Sequence, residues 1–413
     1  MNVLKSTCKD FRVLLKWFAV SVITGIMLGL AGGYFAQSIT IVTAFRKSHE
    51  WMLWLLPAAG ILITWLYSFD RSHSSTNTVF EGVLHGKPVS LLMAPLIVVS
   101  TILTHAFGGS AGREGAALQL GGSLAGGVGK LLKLNDDDQK IILMSGMAAG
   151  FSALFGTPLT AAFFAIEVTE IGTLQYAAVV PCAFSALIAK MTASMIGTEG
   201  EAFLIPAGIT FDIRNALMIL VLALLACFTG VIFCKVLHTV EHYSHQCIKN
   251  AYLRAAAGGA CVVLLAKILN TGDYLGAGMN IIELSCEGEV FPLAFVLKMI
   301  FTSLTLGTGY KGGEIVPTLF IGGTFGGTFA LITGMNPALC TCSGMAAAFC
   351  AVTNCPVSSL FLSFELFGFE YMPFFLISVA AAYLMSGDTG LYHSQILKYS
   401  KTDLSLSEVH TAE

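Results

Sequence analysis

Two glycine-rich stretches of the chain each place a glutamate close to a basic residue. In the first, residues 108–122, Arg113 and Glu114 stand among six glycines between two apolar runs. Glycines let backbone N–H groups converge, and a helix beginning near Gly115 would direct the positive end of its dipole at the same point. This pattern predicts an anion site beside a carboxylate that competes with the anion when ionised and withdraws when protonated. The alternative is a structural Arg113–Glu114 ion pair in a loop.

The second stretch, residues 307–318, contains Lys311 and Glu314 among glycines. Glu314 comes shortly before Pro317, and proline favours the first turn of a helix, so Glu314 is also predicted at a helix N-terminus. Taken alone, a carboxylate that only caps its helix explains Glu314 at least as well as a function does. Two carboxylates at matching helix starts favour a functional pair.

An internal repeat relates these two stretches. The segment SGMAAGF at 145–151 recurs as SGMAAAF at 343–349, an offset of 198 residues. A proline and a glutamate recur downstream at the same offset, as Pro158, Glu167, Pro356 and Glu365. The chain is therefore predicted to consist of two related halves that form one domain, as in transporters whose substrate site lies between repeats.

The composition excludes most classes of soluble protein. Of the 413 residues, 55% are hydrophobic and only 11% charged, less than half the usual share of charge, and the mean hydropathy is +0.77. A soluble enzyme, a nucleic-acid binder and a disordered scaffold are excluded, and a net charge of −3 suggests no polyanionic partner. The 11 cysteines are odd in number and mostly lie in apolar stretches, which is typical of buried thiols. No metal or cofactor is predicted.

Long and short apolar runs alternate along the chain. The first, 17–36, is long enough to cross a bilayer, and the basic residues before it predict a cytoplasmic N-terminus. Shorter pieces broken by glycine and proline are expected to be re-entrant or paired half-helices, because an exposed broken helix is not tolerated in lipid. These shorter pieces lie at 112–129, 156–171, 315–333 and 356–367.

These motifs resemble the CLC family of anion channels and proton-coupled anion exchangers. Residues 112–115 match the family's G-[KR]-E-G motif, and residues 312–317 match its G-G-x-x-x-P motif. The Gly-Thr-Pro at 156–158, Glu167 and Tyr392 also fall where the family has them. The resemblance extends from about residue 15 to residue 395, nearly the whole chain.

Departures from the chloride-selective members indicate a subgroup. Residues 74–80 lack the G-S-G-x-P motif, Val168 replaces the second acidic residue usual in chloride/proton exchangers, and Glu314 stands where chloride members have an apolar residue. The string 108–115 is similar to that of the bacterial fluoride/proton antiporter branch. That branch often has threonine two residues after the second-half glutamate, where this chain has Val316.

Fluoride binding has a physical requirement that these residues meet. Fluoride is small and strongly hydrated, so it must find short, strong hydrogen-bond donors when it leaves water, and protonated carboxyl and tyrosine hydroxyl groups are such donors. The resemblance implies that Glu114 is the gating and proton-coupling glutamate and that Glu314 is the inner fluoride and proton residue. It implies as further substrate-binding residues Gly112, Arg113, Gly115, Ala116, Tyr392, Ser75, Thr76, Asn77, Gly313, Ile315 and Val316. Which of residues 75–77 faces the ion stays open.

We therefore expect an all-α polytopic membrane protein with the CLC fold, built from two inverted repeats with broken or re-entrant helices. A single transport domain is expected over 1–400, with repeats at about 15–200 and 210–395 and a short polar tail at 401–413. The expected function is proton-coupled fluoride export that confers fluoride resistance; the alternatives are a chloride/proton exchanger or a passive chloride channel. The protein is expected to be a secondary active transporter, not an enzyme, and a homodimer in the bacterial inner membrane. A sensor or scaffold that transports nothing is disfavoured by the intact glutamates.

Overall fold

The computed structural model describes residues 2–70, 75–402 and 406–411, which form sixteen α-helices and one small sheet. The helices of the first half are α1 (Asn2–Ser48), α2 (Leu56–Tyr67), α3 (Thr76–His85), α4 (Met93–Ala106), α5 (Glu114–Leu131), α6 (Asp136–Phe155), α7 (Pro158–Glu167) and α8 (Val179–Met195). Those of the second half are α9 (Ile213–Cys247), α10 (Ala251–Ile268), α11 (Met279–Glu287), α12 (Ala294–Gly307), α13 (Ile315–Thr333), α14 (Pro337–Thr353), α15 (Pro356–Phe367) and α16 (Met372–Met385). The strands are β1 (Glu170–Ile171), β2 (Ile396–Tyr399) and β3 (Leu406–His410).

Membrane-spanning segments account for much of this helical content. Among the described residues, six helical segments are long and apolar enough to cross a bilayer, and six further apolar helices are shorter, at 10–17 residues. The predicted pieces 315–333 and 356–367 coincide with α13 and α15. Helix α15 is one of the shorter helices as expected, whereas α13, with 19 residues, is one of the six that are long enough to cross. Large apolar side chains on the outside of the spanning segments are exposed, such as Trp54 at 63% and Ile41 at 66%, as lipid-facing side chains are. The chain is a multi-pass membrane protein.

Local sequence signals begin and end the helices at matching places in the two halves. The side chain of Asn135 accepts a hydrogen bond at 2.8 Å from the Asp138 N–H at the start of α6, and Asn336 caps α14 in the same way. The same two helices end in a left-handed residue, Gly156 at φ +72° and Asn354 at φ +58°. Both are residue types that adopt this conformation readily.

Close backbone contact explains why the repeated motifs contain glycine. A Cβ atom on Gly121 of α5 would overlap the backbone carbonyl of Gly146 on α6, and a Cβ on Gly322 of α13 would overlap that of Gly344 on α14. Gly146 and Gly344 belong to the repeated segment at 145–151 and 343–349, and Gly121 and Gly322 belong to a second similar pair, LGGS at 120–123 and IGGT at 321–324. Helices that associate in lipid use small residues for such close approach. The repeated glycines therefore allow the same helix packing in both halves.

Two cavities lie on opposite faces of the molecule. The large cavity, about 700 Å³, is lined by residues that include Glu50 and Leu53 just before α2. The opposite end of α2 is marked by Tyr67, whose ring lies 4.4 Å from the Nζ of Lys311, and Lys311 lines the small cavity of about 160 Å³. Because the segment from Glu50 to Tyr67 is long enough to span a bilayer, the two cavities open towards its two ends.

The positions of equivalent helices relative to the cavities show that the halves are inverted. The end of α1 lines the large cavity with Arg46 and Lys47, whereas the end of α9 lines the small cavity with His238 and Glu241. In the same way α4 ends beside the large cavity and α12 ends beside the small one. The predicted inverted arrangement is therefore confirmed, and the N-terminal end of α1 lies on the side of the small cavity.

A three-stranded sheet ties the C-terminal segment to the end of α7. Strand β1 pairs parallel with β2, and β2 pairs antiparallel with β3. The Gln395 amide donates to the backbone carbonyls of Val168 at 2.8 Å and Thr353 at 2.7 Å. The described part of the predicted polar tail thus contains a paired strand, and the segment before β2 is held against the membrane domain.

Candidate functional site

The two glycine-rich stretches meet at the centre of the molecule through a backbone bridge. The Gly112 N–H donates to the Gly313 carbonyl at 2.7 Å, and the Gly313 N–H donates to the Gly112 carbonyl at 2.8 Å. These bonds hold the starts of α5 and α13 together, so the positive ends of both helix dipoles converge on one region. Glu114 is the first residue of α5, and Glu314 directly precedes α13, as predicted.

Glu114 is fully buried and reaches the helix of the opposite half. Its Oε2 accepts a hydrogen bond at 3.3 Å from the backbone N–H of Val316 in the first turn of α13. Its Oε1 is buried with no hydrogen-bond partner among the described residues. Because an unsatisfied buried polar atom is costly, Oε1 marks a place where a proton, water or ion belongs.

Glu314 has the reciprocal position. A Cβ on Gly115, the second residue of α5, would lie 3.3 Å from the Glu314 Oε2. This oxygen is also buried without a partner among the described residues. Each glutamate therefore lies against the helix start of the other half, and each has one carboxyl oxygen available.

The small cavity brings together five of the predicted site residues. Glu314 and Tyr392 line it together with Ser75, Thr76 and Asn77 at the start of α3. The Tyr392 hydroxyl is buried without a partner among the described residues, so it is available as a donor to an ion.

The three side chains at the start of α3 have different partners. Ser75 is the N-cap residue of α3, and the Thr76 hydroxyl accepts from the Gln119 amide at 3.1 Å. The Asn77 Oδ1 accepts from the Ser394 N–H at 3.1 Å and so fixes the loop that carries Tyr392.

Arg113 faces the large cavity and does not pair with Glu114. Its Nη2 donates to the Glu201 Oε1 at 3.1 Å and to the Leu154 carbonyl at 3.3 Å. The structural Arg113–Glu114 pair considered as an alternative is therefore absent from the described residues. Val316 lines the large cavity as well. The remaining predicted residues, Gly115, Ala116 and Ile315, are buried in the first turns of α5 and α13.

Further basic side chains surround the large cavity. Arg46 and His105 both line it and are both buried. The Arg46 Nε and the His105 Nε2 have no partner among the described residues. Lys298, fully buried behind them, donates to the Gly276 carbonyl at 2.6 Å and the Tyr274 carbonyl at 3.3 Å. The lining of the same cavity also contains the carboxylates Glu50, Glu201, Asp273 and Glu283, so the cavity carries both signs of charge.

The two glutamates form the barrier between the cavities. Arg113, next to Glu114, and Val316, two residues after Glu314, line the large cavity. Gly312 and Glu314 line the small one. An ion that moves from one cavity to the other between these lining residues passes the Gly112–Gly313 bridge and both carboxylates. The arrangement can therefore exchange an anion and a proton at one place.

The repeated glutamates Glu167 and Glu365 have a structural role. Glu167, at the end of α7, accepts from the N–H groups of Val357 at 3.0 Å and Ser358 at 2.9 Å at the start of α15. Glu365, near the end of α15, accepts from the N–H groups of Leu159 at 2.9 Å and Thr160 at 2.8 Å at the start of α7. Each carboxylate satisfies backbone donors that a helix start leaves unpaired.

Several cavity residues were not predicted as site residues from the sequence. They are Gln119, Lys311, His238, Glu241 and His393, all of which line the small cavity. Two sequence patterns could have indicated three of them. Gln119 is a polar residue one turn after Gly115 in an apolar helix, and Glu241 follows His238 by three residues on the same face of α9.

Comparison with known proteins identifies the family. The sequence model described as voltage gated chloride channel matches residues 59–387, so the chain belongs to this family, the CLC proteins. A chloride/fluoride channel protein of Pseudomonas syringae pv. tomato is 32% identical over 402 residues, covering 95% of this chain and 89% of that protein. The H(+)/Cl(−) exchange transporter ClcA of Vibrio cholerae is 25% identical over 390 residues, covering 84% of this chain and 81% of that protein.

Solved structures agree with this assignment. The crystal structure of a CLC-type fluoride/proton antiporter matches with a TM-score of 0.89 at 33% identity, covering 92% of this chain and 98% of that chain. A slow cyanobacterial Cl⁻/H⁺ antiporter matches with a TM-score of 0.78 at 19% identity, covering 90% and 94%, and shows the shared fold. The predicted CLC fold is confirmed.

Proposed function

We propose that this protein is a fluoride/proton antiporter that exports fluoride and confers fluoride resistance. The observation that carries the proposal is the pair of glutamates between the two cavities, each lying against the other half's helix start and each with an unpartnered carboxyl oxygen. The similarity to a chloride/fluoride channel protein and to a fluoride/proton antiporter over nearly the whole chain supports it.

Competition for one helix start provides the coupling. When ionised, Glu114 occupies the N-terminal end of α13, where its Oε2 accepts from the Val316 N–H. An anion needs the same donor and the same positive dipole end, so carboxylate and anion exclude each other. Protonation weakens the hold of Glu114 on this donor and opens the position to the anion. Anion movement and proton binding at Glu114 are thereby linked.

Selectivity for fluoride follows from the donors in the small cavity. Glu314, when protonated, and Tyr392 offer two hydroxyl donors whose oxygens have no partner among the described residues. Such donors compensate a small anion for its lost hydration better than they compensate chloride, which is larger and holds water less strongly. Val316 contributes a backbone N–H where the fluoride branch often has a threonine, so no side-chain hydroxyl assists there.

The direction of transport follows from the arrangement proposed for the membrane. The basic segment before the first span, with Lys16 at its end, supports a cytoplasmic N-terminus in a bacterial inner membrane. The small cavity then faces the cytoplasm, and fluoride leaves through the large cavity. We propose a homodimer with one pathway per subunit, as the resemblance to CLC proteins implies. Mass photometry of the detergent-solubilised protein should then give twice the chain mass of 43.8 kDa, after correction for detergent.

Anion efflux from proteoliposomes tests this function. Vesicles are loaded with equal concentrations of fluoride and chloride in separate samples, and ion-selective electrodes record each efflux. Fluoride should leave much faster than chloride. Chloride efflux at an equal or higher rate would make the protein a chloride exchanger or channel with the same fold.

A further inference from the structure

Three titratable side chains lie together at the mouth of the small cavity. Glu241 and His238 are on the last turns of α9, and His393 follows Tyr392 in the loop after α16. The His393 Nε2 lies 3.9 Å from the Glu241 Oε2, and the rings of His238 and His393 are 4.6 Å apart. The side chains of Glu241 and His393 are both 50% exposed, so they contact bulk water. We call these three residues the rim cluster.

The rim cluster and Glu314 share one cavity. All three rim residues line the same space of about 160 Å³ as Glu314 and Tyr392. A cavity of this size and polarity can hold several water molecules, which form hydrogen bonds where protein partners are lacking. The Glu314 Oε2 and the Tyr392 hydroxyl are two such unpartnered atoms. Water can therefore connect the buried carboxyl to the exposed rim.

Helix α7 does not offer another acid to this cavity. Both carboxyl oxygens of Glu167 accept hydrogen bonds from the first turn of α15, and the next residue, Val168, is apolar and fully buried. Among the described residues that line the small cavity, Glu314 and Glu241 are the carboxyl groups. A proton that leaves Glu314 into this cavity thus meets the rim cluster as the exposed acceptors among the described lining residues.

We infer that the rim cluster is the site at which protons pass between Glu314 and the solution. The inference rests on the proposed fluoride/proton exchange. In the export direction, the Glu314 carboxyl releases a proton through water to the Glu241 carboxylate or to a neutral ring nitrogen of His393. The rim group then releases the proton to a water or buffer molecule and returns to its initial state, so no charge accumulates in the cluster.

The groups around Glu241 suit this transfer. It is faced by His238 and His245 from α9, by His393, by Lys311 before α13 and by Arg254 of α10. Positive charge on these neighbours stabilises the negative charge of the Glu241 carboxylate, and the half-exposed side chain can pass a proton on to bulk water. In a variant that lacks Glu241 or His393, the remaining group still transfers the proton, but more slowly.

The test uses the whole protein in proteoliposomes with a fluoride gradient. Glu241→Gln and His393→Gln should slow fluoride and proton movement together by about tenfold at neutral pH, because a positioned proton-transfer group typically contributes at least this much. Imidazole added on the small-cavity side, a neutral proton acceptor that replaces the missing side chain, should restore at least half of the lost rate in both variants. His242→Gln, on α9 but outside the cavity lining, is the matched control and should transport like the wild type.

The outcomes separate this inference from the proposed function. If both variants transport at the wild-type rate, or if imidazole fails to restore the lost rate, the rim cluster does not transfer protons. Retained elution of each variant as a single dimeric species shows that it is folded. The wild type in the same assay reports on the function itself: fluoride efflux without proton movement in the wild type would overturn the proposed exchange, whatever the variants do.

Discussion

The carboxylate of Glu114 accepts a hydrogen bond from the backbone N–H of Val316, a residue of the opposite half of the chain, at 3.3 Å. Glu314 makes the reverse approach, since its Oε2 lies close to Gly115 at the start of α5. Because each carboxylate lies against the other half's helix start, movement of Glu114 frees the Val316 N–H of α13, and movement of Glu314 opens the start of α5. This crosswise arrangement makes proton binding and anion passage depend on each other.

Glu114→Gln should abolish proton movement driven by a fluoride gradient. Glutamine can keep a hydrogen bond to the Val316 N–H but has no proton to release, so the coupling step is lost. A fluoride gradient is imposed on vesicles that contain the variant, and external pH is recorded. Glu283→Gln, at a carboxylate that lines the large cavity, is the control and should keep coupled transport. Proton movement at the wild-type ratio in Glu114→Gln would show that Glu114 is not the coupling residue.

Glu314→Gln should slow fluoride export by about a hundredfold without loss of folding, since glutamine remains a donor but cannot carry a proton. Transport is measured by fluoride electrode, and folding by the thermal unfolding of the solubilised protein. If this variant exchanges fluoride for protons at the original rate, Glu314 only caps α13.

Tyr392→Phe should weaken fluoride binding while leaving stability unchanged or slightly higher. The hydroxyl has no partner among the described residues, so the folded protein loses no hydrogen bond, whereas fluoride loses one donor. A hydrogen bond to a charged group contributes about 1.5 kcal/mol or more, so the dissociation constant should rise by about tenfold. Isothermal titration with fluoride measures the change. An unchanged dissociation constant would mean that the hydroxyl does not contact the ion.

Glu365→Ala should destabilise the protein without changing its fluoride-to-proton ratio. Its two carboxyl oxygens satisfy the Leu159 and Thr160 N–H groups, and their loss should cost about 2 kcal/mol of stability. The melting temperature of the solubilised protein should therefore fall, while proteoliposomes made at low temperature should still exchange both ions in the wild-type ratio. A changed ratio at unchanged melting temperature would place Glu365 in the transport mechanism.

The sequence predicted the features that depend on local chemistry. Glycine-rich breaks and Pro317 indicated that Glu114 and Glu314 begin helices, and both do. The internal repeat indicated two related halves, and the packing of Gly121 against Gly146 shows why those residues recur.

Features that depend on distant parts of the chain were not predictable in this way. Arg113 pairs with Glu201, 88 residues away in an irregular segment that carries no periodic pattern. The reciprocal capping by Glu167 and Glu365 was also beyond the sequence, because a repeated glutamate does not reveal which helix start it meets. No sequence pattern marked His393 as a site residue, because its partner Glu241 lies in α9, about 150 residues earlier in the chain.

The most direct test of the two-glutamate mechanism is whether a fluoride gradient moves protons uphill. Wild-type proteoliposomes are prepared with fluoride inside, equal pH on both sides and a potassium-selective ionophore that holds the membrane potential at zero, and external pH is recorded as fluoride leaves. The account predicts that external pH rises as protons enter against the gradient that develops, and that Glu114→Gln abolishes this rise. Fluoride efflux from the wild type with no change in external pH would contradict it.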